Sequence, residues 1–350
     1  MIKVLIVEDS RVVSEYLQYI LSNDPQIQVI GNVSNGKQAI EFLRSEKPDI
    51  ISMDIDMPIM NGLEATRIIM STTPIPILIV TASRNVNEMS VSIEALAAGA
   101  LGLIEKPLGI GHPSEKKLAD ELVTMIKVLA EVKVIARRPK QAVKPNTSIP
   151  SARQQIPLED YNAFSLVAIG VSSGGPQTLQ QVFAKISGNF PVPILVVQHI
   201  TEGFLAGLVS WLGRTTTIPI QIATNGEQIV AGHIYFAPDN HQMGITKTGR
   251  IILEKCPRKI GLCPSVAHLF ESVAREYGKS AMGIILTGMG QDGAQELKEL
   301  RDTGALTIAQ DKKSALIHGM PGVAIQLNAA KYILSADEIG QMLYKMETKP

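Results

Sequence analysis

The sequence predicts an α/β protein with two domains, and three observations support this prediction. In both halves of the chain, short runs rich in β-branched residues alternate with amphipathic stretches of helix length. A proline-rich, basic stretch separates the two halves. The length of 350 residues also exceeds what a single hydrophobic core usually holds. We therefore expect each half to form a mostly parallel sheet with helices on both faces.

The first half contains the strand signals of one parallel sheet. A segment long enough for a crossover helix follows each signal, as parallel strands require, and the last helix ends near Ala130. We predict that residues 1–125 form the first domain. Its expected strands are Val4 to Val7, Ile27 to Ile30, Ile50 to Met53, Ile75 to Val80 and Leu101 to Ile104.

A linker is predicted over residues 126–162. Between residues 137 and 157 the chain has four prolines, five basic residues and no acidic residue, which is typical of a semi-extended tether. We interpret this stretch as a solvated spacer rather than as a docking site.

The second half is predicted to form a doubly wound, mostly parallel α/β domain over residues 163–347. Helices are expected from Pro176, around Phe204 to Leu212, from Ser265 to Tyr277 and after Asp292, and the stretch between Ile218 and Leu253 is richer in β signals. The expected strands are Leu166 to Gly170, Pro193 to Val197, Met282 to Leu286 and a run near Ala305 to Ala309.

The composition argues against nucleic-acid binding and membrane insertion. Basic and acidic residues number 33 each, so the whole chain has no excess of positive charge to attract a polyanion. No apolar run approaches the roughly 18 residues that span a bilayer, and the N-terminal apolar run is too short for a secretory segment. We therefore expect a cytoplasmic protein.

The two cysteines, Cys256 and Cys263, lie seven positions apart in the sequence. This spacing matches neither a zinc pair nor a redox Cys-x-x-Cys motif. We interpret both as structural thiols.

Polar residues follow four of the expected strands in the first half. Glu8 and Asp9 follow the first strand, Asp54 the third, Thr81 the fourth and Lys106 the fifth. Functional groups of an open parallel sheet gather beyond the carboxyl ends of its strands. Each residue alone is typical of a solvated strand end, but the whole set in this order indicates a site for phosphoryl transfer.

A magnesium site fits the acidic members of this set. Asp9 and Asp54 can supply carboxylate oxygens to Mg²⁺, and Glu8 can act through a water molecule. A backbone carbonyl near Asp56 would add a further ligand. We therefore expect Mg²⁺ as a cofactor of the first domain.

The other members provide the remaining parts of a phosphoryl-transfer site. The Asp54 carboxylate can act as the nucleophile. Lys106 is a point charge that can reach phosphoryl oxygens, and the Thr81 hydroxyl can bond to them.

A glycine-rich turn opens the second half. Residues 170–174 read Gly-Val-Ser-Ser-Gly, the G-x-S-x-G pattern of a serine exposed between a strand and a helix. The pentapeptide alone is equally consistent with a turn that only packs or cradles a phosphate. A dinucleotide site is disfavoured because G-x-G-x-x-G is absent, and the Gly-Lys-Ser/Thr of a P-loop is absent as well.

The serine needs a base and a carboxylate that orients it. His199 follows the run 193–198, one βα unit after the serine, whereas the other five histidines lie in less suitable positions. Asp292 lies in the glycine-dense loop 287–293, which follows the strand ending at Leu286. The order Ser172, His199, Asp292 differs from that of lipase-like hydrolases, which argues against that class.

The segment Met53 to Gly62, with Lys106-Pro107 downstream, resembles the receiver domain of bacterial response regulators over residues 1 to about 125. The resemblance implies a flavodoxin-like fold and phosphorylation of Asp54 by a histidine kinase. Leu103 departs from the family pattern, because receivers usually carry an aromatic switch residue there. This difference affects how phosphorylation would be coupled to output.

The second half resembles the catalytic domain of chemotaxis-type protein-glutamate methylesterases. The resemblance implies that Ser172 is the nucleophile, His199 the general base, Asp292 its orienting partner and the Met289 N–H an oxyanion donor, without a metal. The segments that carry it are Ile169 to Gly175, Gln198-His199, Ala237-Pro238, Leu286 to Gly293 and Gly319-Met320-Pro321.

Four residues of this half depart from the family pattern. Ser173 replaces a usual threonine, Ala267 and His268 replace an acid-containing pattern, and Glu296 replaces a small residue. The range of substrates is what these differences would alter.

The two resemblances together imply a phosphorylation-activated serine hydrolase. Its substrates would be methylated chemoreceptors, from which it removes glutamate methyl esters as methanol and deamidates selected glutamines. The unphosphorylated receiver would restrain the esterase. An adaptor that binds a receptor or kinase, with little catalytic activity, is the alternative. A transcription regulator would need a recognition helix and a basic surface, and the sequence shows neither.

Overall fold

A computed structural model describes residues 1–82, 86–107, 115–132, 134, 164–256 and 262–348, without the side chains of residues 86–90. The chain divides into two compact units, Met1–Ser148 and Ile149–Pro350. The stretch between residues 137 and 157 that was predicted to be a linker lies outside the described residues.

The first unit is built on a five-stranded parallel sheet in the order β2-β1-β3-β4-β5. Strands β3 and β4 are buried along their whole length, as expected for strands covered on both faces. The strands are β1 (Ile2–Val7), β2 (Ile27–Val33), β3 (Ile50–Met53), β4 (Ile77–Thr81) and β5 (Gly102–Glu105). The helices are α1 (Arg11–Ser22), α2 (Gly36–Phe42), α3 (Gly62–Thr72), α4 (Val86–Ala98) and α5 (Glu115–Ala130).

The second unit contains a seven-stranded parallel sheet in the order β14-β13-β12-β6-β7-β9-β8, and a separate antiparallel pair, β10 and β11. The strands are β6 (Leu166–Val171), β7 (Ile194–Gln198), β8 (Ile220–Ile222), β9 (Ile234–Phe236), β10 (His241–Ile245), β11 (Ile251–Lys255), β12 (Ala281–Ile285), β13 (Leu306–Gln310) and β14 (Tyr332–Leu334). The helices are α6 (Gly175–Phe183), α7 (Leu205–Thr215), α8 (Val266–Glu276), α9 (Ala294–Asp302), α10 (Met320–Gln326) and α11 (Ala336–Glu347). The predicted fold class is confirmed for both units.

Strand β6 lies at the switch point of the second sheet. The chain passes from β6 to β7 on one side, and the later strand β12 pairs with β6 on the other side. All three strands are buried along their whole length, so their carboxyl ends have fixed positions in the core. Ligand sites of such sheets lie in the crevice beyond the carboxyl ends of strands at this point.

Cys256 and Cys263 form a disulfide, with their Cα atoms 6.4 Å apart. The expectation of two structural thiols is therefore wrong. Sequence spacing could not show the pairing, because it depends on how close the folded chain brings the two residues.

None of the helices in the described ranges combines the length and the apolar character that crossing a bilayer requires.

Candidate active site and candidate phosphoacceptor site

The acidic residues of the first unit converge because their strands are neighbours. Val7 of β1 pairs with Met53 of β3, so the residues that follow these two strands lie side by side. Carboxylate oxygens of Glu8, Asp9 and Asp54 all lie within 4.8 Å of one another. Glu8 and Asp54 are buried, whereas Asp9 is exposed.

Lys106 forms an ion pair with each of the two buried carboxylates. Its Nζ lies 2.8 Å from Glu8 Oε2 and 2.7 Å from Asp54 Oδ2. Burial raises the pKa of Asp54 and of Glu8, and the ammonium of Lys106 offsets this only in part. Burial lowers the pKa of Lys106, but the two carboxylates outweigh it, so that the pKa of Lys106 is raised.

The three carboxylates fit a divalent cation. They offer the hard oxygen ligands that Mg²⁺ prefers. Glu8 Oε2 is buried and, in the part of the chain that the structure describes, has no hydrogen-bond partner of good geometry, despite the nearby ammonium. Asp56 is not a member of this group, and it is exposed.

Thr81 and Lys106 end neighbouring strands of the same sheet. The Lys106 N–H donates to the Thr81 carbonyl at 2.9 Å, and Thr81 is buried. Both residues thus lie at the edge of the sheet where the carboxylates gather. Leu103 is buried within β5.

The turn that carries Ser172 connects β6 to α6. Gly174, at the N-cap of α6, has a φ of +79°, a conformation that favours glycine. The Ser172 N–H donates to the Thr287 carbonyl at 2.9 Å, which ties the turn to the loop after β12. Ser172 therefore lies between α6 and that loop.

His199 lies beside Ser172 because Val171 of β6 pairs with Gln198 of β7. Ser172 directly follows β6, and His199 directly follows β7. The His199 N–H donates to the Val171 carbonyl at 2.9 Å, which fixes the backbone of the base.

Asp292 reaches the imidazole of His199. Its Oδ2 lies 2.9 Å from His199 Nε2, and the two side chains are only 12% and 14% exposed. The two atoms are close, but the ring N–H of His199 is not aligned for a hydrogen bond of good geometry to any described residue. Hydrogen bonds of catalytic groups often tighten only when substrate binds.

The N-terminus of α8 also holds Asp292. The N–H groups of Val266 and Ala267 donate to its carboxylate at 2.6 and 3.2 Å. Burial raises the pKa of Asp292, but the neighbouring imidazole of His199 and the hydrogen bonds from these two N–H groups outweigh it and lower the pKa. Asp292 is therefore an anion in the folded protein at neutral pH. The sequence analysis missed this role of α8.

The loop after β12 approaches the serine turn closely. A Cβ at Gly288 would lie 2.7 Å from Ser172 Cβ, so only glycine fits there. Within the described ranges, the N–H of the next residue, Met289, makes no hydrogen bond. That N–H is thus available to a substrate oxygen.

Two buried polar residues to which sequence analysis assigned no role contact the serine turn. The Thr287 hydroxyl donates to the Ser173 carbonyl at 2.9 Å, and its own N–H donates to Gln310 Oε1 at 2.8 Å. Gln198 binds the Ser172 carbonyl. The only sequence signal for either residue is a polar side chain directly at the end of an apolar run.

Two family models match the chain. The CheB methylesterase model matches residues 167–343 and the response regulator receiver domain model matches residues 4–114. Each match falls within one of the two compact units. Both resemblances that the sequence suggested are thereby confirmed.

Relatives match over almost the whole chain. A protein-glutamate methylesterase/protein-glutamine glutaminase of Nitrosospira multiformis is 44% identical over 98% of this chain and 96% of its own. One from Syntrophus aciditrophicus is 45% identical, over 99% and 98%. The crystal structure of the Thermotoga maritima CheB methylesterase catalytic domain is 32% identical with a TM-score of 0.50, and the match covers 52% of this chain and 98% of that one.

Proposed function

The chain belongs to the CheB methylesterase family, in the form that carries a receiver domain, and from this premise we propose how its own residues perform the family's reaction. The protein is a protein-glutamate methylesterase that is regulated by phosphorylation. Its substrates are methylated glutamates of chemoreceptors, from which it releases methanol. It also deamidates glutamines, an activity that the names of its relatives include.

The esterase reaction is assigned to Ser172, His199 and Asp292. The Ser172 hydroxyl attacks the ester carbonyl while its proton passes to the ring nitrogen of His199 that does not face Asp292. The 2.9 Å separation between Asp292 Oδ2 and His199 Nε2 is the observation that supports this best. A carboxylate there selects one tautomer of the imidazole and stabilises the imidazolium that forms.

The negative charge on the ester oxygen is stabilised by the Met289 N–H, with help from the N-terminus of α6. His199 returns its proton to the leaving methoxide, which departs as methanol. Water then attacks the acyl enzyme with His199 as base, giving a glutamate carboxylate and free Ser172. With a glutamine substrate, the leaving group is ammonia. This chemistry needs no metal.

Domain limits of 1–125 for the receiver, 126–162 for the linker and 163–347 for the esterase are proposed. The matched ranges and the two compact units are consistent with these limits.

The receiver is proposed to accept a phosphoryl group from a histidine kinase on Asp54. When bound, Mg²⁺ would neutralise charge on the phosphoryl oxygens. Asp9 and Asp54 would hold it, with Glu8 acting through water and a backbone carbonyl near Asp56. The Lys106 ammonium and the Thr81 hydroxyl would then bind the phosphoryl oxygens. The protein would meet the histidine kinase and the methylated chemoreceptors in the cytoplasm.

Replacing the nucleophile tests the assignment. In Ser172→Ala, methanol release from methylated receptor should fall by a factor of about 10⁴ or more, since a triad acts as a unit. Ser210→Ala is the matched control, because Ser210 is an exposed serine of α7 and should keep full activity. Equal turnover by Ser172→Ala would contradict the assignment.

A further inference from the structure

Gln198 connects the backbones of the nucleophile and the base. Its side-chain Nε2 donates to the Ser172 carbonyl at 2.9 Å and to the His199 carbonyl at 2.8 Å. The side chain is almost fully buried, with 4% of the residue exposed. Both N–H bonds of one carboxamide are thus used to hold the two residues on which the reaction depends.

The chemistry of its neighbours fixes the orientation of this carboxamide. Both groups facing Nε2 are carbonyl oxygens, which accept hydrogen bonds and cannot donate them. The amide oxygen must therefore point away, and Gln198 Oε1 is buried without a hydrogen-bond partner among the described residues. An unsatisfied buried acceptor destabilises the fold. The two donated bonds are the compensating contribution of this side chain.

Gly175 provides the space for the carboxamide. A Cβ at Gly175 would overlap Gln198 Oε1 and would lie 2.8 Å from Gln198 Cδ. The carboxamide therefore occupies the volume that a side chain at the first residue of α6 would need. The start of this helix and the side chain at the end of β7 fit each other as a pair.

We propose that Gln198 is a positioning residue for the esterase reaction. This role rests on the proposed function, in which Ser172 is the nucleophile and His199 is the base. By holding both carbonyls, Gln198 keeps the hydroxyl and the imidazole at one separation while the ester is attacked. Misplacement of reacting groups by about 1 Å can lower a rate on the order of 100-fold.

The first test compares two buried substitutions in the full-length protein. Gln198→Met keeps the size of the side chain and removes both donated bonds. Thr307→Val, in β13, is the matched control. The Thr307 hydroxyl donates to the Ala329 carbonyl at 2.7 Å and accepts the Lys331 N–H at 3.1 Å. Each change removes one buried and one partly buried side-chain hydrogen bond, and only the first change lies at the reaction centre.

Three quantities are measured for each variant: the melting temperature, kcat and KM for methanol release, and the rate at which a small fluorophosphonate labels Ser172. The label reports the reactivity of the hydroxyl without receptor binding. For Gln198→Met we expect kcat and the labelling rate to fall together by about 10- to 100-fold, with KM within about twofold of the original. Thr307→Val should lose a similar amount of thermal stability and keep its kcat.

A Gln198→Met protein with the original kcat per labelled site would overturn the proposal, and so would equal losses of kcat in Thr307→Val. Failure of the proposed function has a different signature. Ser172→Ala would then still release methanol, or the fluorophosphonate would label another residue.

A double-mutant cycle with Gly175→Ala provides the second test. Alone, Gly175→Ala should displace the carboxamide and lower kcat about tenfold or more. In a Gln198→Ala background, Gly175→Ala should again lower kcat, but by a factor that is at least about threefold smaller, because the carboxamide that it would displace is already absent. The contact of the new methyl group with Val171 Cγ2 is common to both backgrounds. An equal fold decrease in kcat on Gly175→Ala in both backgrounds would contradict the pairing of Gln198 with Gly175.

Discussion

The Oδ2 atom of Asp292 lies 2.9 Å from Nε2 of His199. The same carboxylate accepts the N–H groups of Val266 and Ala267 at the first turn of α8. A carboxylate that two backbone N–H groups hold cannot rotate freely, so it presents a fixed acceptor to the imidazole. The position of the base therefore depends on a helix that begins far from it in the sequence.

Asp292→Asn tests the orienting role directly. The amide lacks the negative charge that stabilises an imidazolium, and its NH₂ group can favour the wrong tautomer of His199. We expect kcat for methanol release to fall by about 10³- to 10⁴-fold, as in other triads that lose this charge. Labelling of Ser172 by fluorophosphonate should slow in parallel. A loss smaller than about tenfold would show that Asp292 is dispensable.

The lowered pKa of Asp292 predicts a pH dependence of stability. A carboxyl group whose pKa is depressed by folding stabilises the native state above its unfolded pKa of about 3.9. This contribution is lost as the pH falls through the folded pKa. The stability difference between the original protein and Asp292→Asn should therefore be constant near neutral pH and shrink below about pH 4.

Trp211 allows this difference to be measured in the second unit alone. It is the single tryptophan of the chain, and it is buried in α7. Urea unfolding followed by its fluorescence between about pH 3.5 and about pH 7 gives the required free energies. A stability difference that grows towards acid pH would contradict the assigned direction.

Gly288→Ala tests the close approach of the loop to the serine turn. The new methyl group would lie 2.7 Å from Ser172 Cβ and 2.5 Å from Met320 Sδ, so the serine turn or the loop must move. We expect kcat to fall by about 100-fold. In the control Gly213→Ala, near the C-terminal end of α7, the methyl group meets no atom of the described residues within 4 Å. That variant should keep its activity and gain up to about 1 kcal/mol in unfolding free energy.

The sequence allowed the strands and the residues at their ends to be predicted, because parallel strands carry continuous apolar runs and end at one edge. Ser172, His199 and Asp54 follow such runs directly. Gln198 was not predicted as a contact, because its role depends on which strand pairs with β7. The hold of α8 on Asp292 and the Cys256–Cys263 disulfide were likewise missed. The hold on Asp292 depends on how distant segments meet, and the disulfide on how close the fold brings two residues seven positions apart; sequence spacing encodes neither.

Lys106→Met tests whether Lys106 competes with a metal ion for the acidic cluster. Its Nζ lies 2.7 Å from Asp54 Oδ2 and 2.8 Å from Glu8 Oε2. Removing the ammonium leaves more negative charge for a cation, so calorimetric titration should show Mg²⁺ binding about tenfold more tightly, equivalent to about 1.4 kcal/mol. Lys37→Met, which removes an exposed lysine of α2, should leave the affinity unchanged. Weaker binding in Lys106→Met would contradict the competition.

Asp54→Asn tests the link between the receiver and the esterase. Acetyl phosphate with Mg²⁺ should raise methanol release by the original full-length protein, because an acyl phosphate on Asp54 shifts the population towards the active state. Asp54→Asn cannot form that acyl phosphate and should not respond. Activation of Asp54→Asn to the same degree as the original protein would show that phosphorylation of Asp54 is not the signal.

Asp56→Asn is the matched control, and it separates a backbone role of Asp56 from a side-chain role. The Asp56 side chain is exposed and lies outside the group of three carboxylates. If only a backbone carbonyl near Asp56 binds the metal, this variant keeps the response to acetyl phosphate.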